Sequence, residues 1–150
     1  MVGRQKKHKF VNIFYYYNSL RIDITNSIIK SVHALDRTKQ RHEQLAFKAE
    51  GTKLILDTLG AFPLSMLIAT DRWLAEHEGM LTPAIRSKVV VAPPRAMERM
   101  SSMSTAPEAI AVYEMPRHDA SDPAELCPAP GELMLALDTI QDPGNLGTIV

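Results

Sequence analysis

One cysteine, Cys127, stands in a chain of 150 residues. A single thiol excludes an internal disulfide and any metal centre built from several thiolates. Its neighbours are Leu126 and Pro128, in a proline-rich stretch that suits a surface thiol better than a nucleophile. That count is compatible with a reducing, cytoplasmic setting. No apolar run approaches the roughly 20 residues that a membrane-spanning helix needs, so no membrane partner is expected. Neither G-x-G-x-x-G nor G-K-[ST] occurs, which removes the two common phosphate loops. A secretory signal is not expected either: Asn12 and Asn18 interrupt the only N-terminal apolar run, and no Ala-x-Ala site follows.

Net charge is also missing, with 17 Lys+Arg against 17 Asp+Glu. The zero conceals a split. Met1 to Lys53 holds 11 cationic and 4 anionic residues, a balance of +7, and Leu54 to Val150 holds 6 and 13, a balance of −7. Such asymmetry points a basic N-terminal part toward a polyanion. With 45 % hydrophobic residues the chain can build a core, and its length allows one domain, or a small domain and a piece of another.

Residues 1–23, basic and then aromatic without a clean period, read as a flexible extension. Order is expected from Ile24. Thr25 or Asn26 is a plausible N-cap, and Ile24, Ile28, Val32 and Leu35 form one apolar stripe at helical spacing. Lys30, Arg37, Lys39 and Arg41 lie off that stripe, giving a basic amphipathic helix that extends to about Gln44. Four strand-like runs follow, "LAFKAE", "LSMLIAT", "KVVVA" and "EAIAVYE", separated by "TKLILDTLG", "DRWLAEHE" and "RAMERMSSM". Strands alternating with short helices predict an α/β fold, a mainly parallel sheet covered on both faces. Met97, Met100 and Met103, three apart, read as a core stripe rather than a metal site.

"PRHDASDPAELCPAPG" carries four of the ten prolines and reads as a linker. The expected organisation is therefore 1–23 extension, 24–115 domain, 116–131 linker, and 132–150 the strand, turn and helix start of a second domain. In the closing "DPGNLGTIV", Asp142-Pro143-Gly144 signals a turn, Asn145 can cap the helix and Gly147 permits close backbone approach. On spacing alone this is a structural turn before it is a ligand site.

"LALDTIQDPGNLGTIV" resembles the first signature motif of the SpoU/TrmH family of SPOUT RNA methyltransferases, and "FKAEGTKLILDTL" is similar to a pattern in that family's N-terminal substrate-binding domain. The resemblance implies a three-layer α/β/α, ribosomal-protein-like RNA-binding domain followed by the truncated start of a trefoil-knot SPOUT domain. It implies methyl transfer from S-adenosylmethionine to a ribose 2′-hydroxyl of ribosomal or transfer RNA, and a homodimer for the full-length protein. Asn145 matches the motif asparagine that helps organise the active site. The arginine due six places later falls beyond Val150, so the chain is expected to continue, and to be inactive as it stands. The cofactor motifs would lie further on, so no cofactor ligand and no metal ligand is named here. For RNA the candidates are Lys30, Arg37, Lys39, Arg41 and Lys53. Glu50, at a family motif position, is expected to fix its turn rather than touch RNA. Glu108-Ala109 departs from the Gln-Gly common in the family and places an acid at that turn. A non-catalytic RNA-binding module is the alternative, and an unrelated small-molecule α/β domain a third class.

Overall fold

The computed structural model describes residues 22–116, 127–135 and 137–138. Five strands form one sheet: β1 (Ile22–Asp23), β2 (Ala46–Glu50), β3 (Leu64–Ala69), β4 (Val89–Val91) and β5 (Ala109–Glu114). Between them run α1 (Asn26–Ala34), α2 (Thr38–Gln44), α3 (Thr52–Thr58), α4 (Asp71–Glu76), α5 (Pro83–Arg86) and α6 (Pro94–Met100), with a 3-10 turn at Glu78–Met80. The spatial order is β1-β4-β3-β5-β2. β1 with β4 and β4 with β3 are parallel, while β5 is antiparallel to both β3 and β2. Four strands thus point one way and β5 alone is reversed. The expectation of a mainly parallel sheet is corrected at this one strand. Its connection from α6 is a loop rather than a helix that would return the chain, so β5 enters the sheet from the opposite end. The sheet also starts two residues earlier than the expected boundary at Ile24, because Ile22 and Asp23 pair with Val90 and Val91.

Side chains alternate across the strands, and both faces are apolar. Ile68, Val90, Ile110 and Val112 meet Ile29, Val32, Leu35, Met97 and Met100 on the face covered by α1 and α6. Leu67, Ala69, Ala109, Ala111 and Tyr113 meet Ile55, Trp73 and Leu74 on the face covered by α3 and α4. The three layers expected of the sequence are present. Met103 is a correction: α6 stops at Met100, and Met103 is 53 % exposed.

The expected long basic helix is two helices. α1 closes through bonds three residues back, Leu35 N to Val32 O and Asp36 N to His33 O, and Arg37 is extended with ψ 128°. Thr25 is the N-cap, its hydroxyl accepting from Ile28 N at 3.2 Å. At the end of β2, Gly51 holds φ +93° and ψ 150°, a region open essentially to glycine alone. Gly51→Ala is expected to destabilise the domain by about 1–3 kcal/mol, read as a lower urea midpoint with unchanged slope. An unaltered midpoint would show that the turn is not held there.

Residues 127–135 and 137–138 belong to a second unit, Arg117–Val150. A turn at Gly131 is closed by Glu132, whose N–H donates to Ala129 O and whose carboxylate accepts from Ala129 N, both at 2.9 Å. The strand expected from Glu132 is not formed among the described residues, since an extended segment becomes a strand only through a ladder with a neighbour. Cys127 is exposed, as its setting suggested. Among the described residues no helix is long and apolar enough to cross a membrane.

Candidate nucleic-acid interface

Because β1 to β4 share a direction, their C-terminal ends lie along one edge of the sheet. Asp23 is opposite Val91, Val91 opposite Ala69, and Ala69 opposite Ala109, while Ile110 is opposite Glu50. Gly51 N donates to Ala109 O at 3.1 Å and Thr70 N to Glu108 O at 2.9 Å, so the segments leaving the strands stay adjacent. In open α/β sheets, ligands bind outside these carboxyl ends.

Three cationic side chains meet this edge: Lys53 in α3, Arg72 in α4 and Arg95 in α6, all exposed. Arg72 is engaged, its Nη2 lying 2.6 Å from Glu108 Oε1, and that carboxylate raises the guanidinium pKa further above its ordinary value. The acid that departs from the family pattern therefore neutralises one cation of the edge. Trp73 anchors the same region: its backbone N–H donates to Thr70 Oγ1 at 3.2 Å and its indole Nε1 to Thr52 Oγ1 at 2.8 Å.

Beneath the edge sits a buried ionic cluster. Lys48, with its side chain 6 % exposed, places Nζ 2.8 Å from Asp36 Oδ1 and 2.7 Å from Glu50 Oε1. It donates also to Met100 O at 2.6 Å. Glu50 accepts from Ser101 Oγ at 2.5 Å, Ser102 N at 3.1 Å and Ser102 Oγ at 2.8 Å. Burial pushes its carboxyl upward, but the hydrogen bonds from Lys48, Ser101 and Ser102 together hold it below its ordinary value of 4.5. The Glu50 carboxylate fixes structure at the loop after α6, through Ser101 and Ser102, and the Gly51 turn is tied instead by its own N–H to Ala109 O.

The candidates named from sequence divide. Lys30 is exposed on α1, and Arg37 and Lys39 are exposed where α1 gives way to α2. Lys39 lies 3.7 Å from Glu43, an exposed pair of little energetic weight. Arg41 has a structural occupation that the helical pattern did not suggest. Its Nη1 donates to Leu35 O and Asp36 O at 3.0 Å, and its Nη2 to Thr38 Oγ1 at 2.8 Å. It closes the end of α1, satisfying carbonyls that a helix terminus leaves free. Lys53 stands apart from these four, in the layer of α3 on the other face. Asn145 lies outside the described residues.

A family model, the MRM3-like substrate binding domain, matches residues 26–111. The chain belongs to this family. Solved structures share the fold. A putative RNA methyltransferase of the TrmH family from Porphyromonas gingivalis is 28 % identical, with 84 % of this chain and 46 % of that one covered and a TM-score of 0.60. An RNA 2′-O ribose methyltransferase is 24 % identical over 86 % of this chain and 49 % of that one, with a TM-score of 0.55. An AdoMet-bound rRNA methyltransferase from Sinorhizobium meliloti is 22 % identical over 66 % and 38 %, with a TM-score of 0.53. This chain therefore spans less than half the length of each. No curated protein sequence matches it. The SpoU/TrmH resemblance of the sequence is borne out by the family model and these neighbours.

Within the MRM3-like domain, sequence reasoning missed Arg72 and Arg95. Each follows an apolar strand by a few residues at the start of a short helix, and that placement was the available signal. Among the described residues no buried side-chain nitrogen or oxygen is without a partner.

Proposed function

We propose that this domain is the RNA-recognition part of an S-adenosylmethionine-dependent RNA ribose 2′-O-methyltransferase of SpoU/TrmH type. The observation that carries the reading is the family match across residues 26–111. The cationic strand edge supports it, because phosphate neutralisation by Lys and Arg supplies most sequence-independent RNA affinity. Lys53 and Arg95 hold phosphates at the edge, and Lys30 and Arg37 extend the contact along the first helices. Arg41 is left out because its guanidinium closes α1, and Lys39 because Glu43 lies beside it.

The chemistry belongs to the longer protein, in which S-adenosylmethionine supplies the methyl group. A ribose hydroxyl is a weak nucleophile until it is deprotonated or polarised, so this domain's part is orientation: it delivers one ribose to the catalytic domain. Residues 132–150 are the opening of that domain, with Asn145 organising its active site. The full protein acts as a homodimer on ribosomal or transfer RNA in the cytoplasm.

Four phosphate contacts predict that log K falls with log salt at a slope of roughly −3 on single-stranded RNA. Fluorescence anisotropy of the 150-residue chain with ribosomal RNA transcripts and bulk transfer RNA reads this directly. Replacing Lys53 and Arg95 by alanine is expected to flatten the slope by about 1.4. An unchanged slope removes the strand edge from the RNA surface, and no binding by the unaltered chain removes the RNA reading.

A further inference from the structure

The Lys48 ammonium has three N–H donors, and three acceptors from three segments receive them: Asp36 at the corner after α1, Glu50 in β2, and the Met100 carbonyl at the end of α6. Glu50 carries the chain of contacts onward to Ser101 and Ser102, and Ser101 Oγ accepts from Met103 N at 3.0 Å. A buried ionic cluster is not what core stability asks for, since well-packed apolar residues commonly do as well or better. Its distinctive product is geometric. It ties residues 101 and 102 to Glu50 at the end of β2, while Met103, Ser104 and Thr105 stay exposed.

We infer that Lys48 and Glu50 are positioning residues, which hold the Ser101–Thr105 loop in the shape that completes the RNA-binding edge. Exposed Ser and Thr hydroxyls and the Met103 side chain then contact RNA at the end of β2, without adding a phosphate-neutralising charge. The inference rests on the strand edge being the RNA face. Glu50 touches no RNA itself: its carboxylate is 9 % exposed and occupied by Lys48 and the two serines.

Glu50→Gln in the 150-residue chain is the test. A glutamine amide is uncharged and replaces one acceptor oxygen by a donor nitrogen, so the ammonium and both serines lose their charged partner. Amide exchange followed by NMR without RNA is expected to quicken at Ser102 and Met103, by about tenfold for the loss of charge-assisted bonding. Affinity for a ribosomal RNA transcript is expected to fall by about the same factor, with the salt slope unchanged because no phosphate contact is lost. Should Glu50→Gln not fold, Ser101→Ala with Ser102→Ala leaves the ion pair intact, and the same two readouts should move in the same direction. Unchanged exchange, or quickened exchange with unchanged affinity, overturns the positioning role alone. Absence of RNA binding by the unaltered chain overturns this role together with the reading beneath it, and the exchange data separate the two failures.

Discussion

Trp73→Ala is expected to destabilise the domain by about 3–5 kcal/mol, a large part of the roughly 5–15 kcal/mol that holds an ordinary domain folded. The residue is 1 % exposed and lies among Ala49, Ile55, Leu67, Leu74 and Tyr113 on the α3–α4 face. Its ring stacks on His77 with centroids 4.3 Å apart. Truncation opens a cavity bounded by strands that cannot collapse into it, because β5 is buried on both faces. It also leaves Thr52 without its indole donor at the start of α3. Trp73→Phe keeps most of the volume and loses that bond, worth about 1 kcal/mol. Urea unfolding followed by circular dichroism separates the two variants. A loss under about 1 kcal/mol for alanine would mean that the ring is not a core element.

Lys48→Met has a comparable expected effect for a different reason. Removing one partner of a buried pair leaves an uncompensated charge, at a cost of about 3–5 kcal/mol. Here the buried Glu50 is left facing the space of the lost ammonium, while Asp36, 29 % exposed, keeps water. Linkage makes the prediction sharper. In the native protein Glu50 lies below its ordinary value, so its stabilisation is complete above pH 4.5 and is lost as pH falls through the native pKa. In the variant only the Ser101 and Ser102 bonds still oppose burial, so the pKa moves up from its native position and less stability is lost as protons are added. The gap in melting temperature between the two proteins should be widest at neutral pH and shrink toward about pH 4. A gap independent of pH would show that the defect is packing rather than charge. Removing the whole cluster, with Asp36→Asn and Glu50→Leu alongside Lys48→Met, should recover much of the loss.

These expectations turn on residues that the sequence presents in very different lights. Trp73 has local signals for burial, an aromatic ring just after an apolar strand and a Thr cap. Lys48 does not. In "LAFKAE" it looks like the solvent-facing member of an alternating strand, and nothing local shows that Asp36 and Met100 arrive above it. The structural contacts of Arg41 were not legible for the same reason. Helical periodicity places it off the apolar stripe, but its guanidinium turns back onto carbonyls freed when α1 ended early. Thr25 was legible because a cap depends on neighbours only a few residues away.

The sequence by itself determined the four main strands, the helices between most of them and a sheet buried on two faces. Those features follow from apolar periodicity and from short-range capping, which act within a few residues. Its motifs also led to the family. The tertiary structure alone decided that β5 is reversed, that Lys48 is internal, and that Lys53, Arg72 and Arg95 share one edge. Each depends on contacts between residues tens of positions apart, where strand order, charge pairing and burial are settled by what the rest of the chain brings alongside.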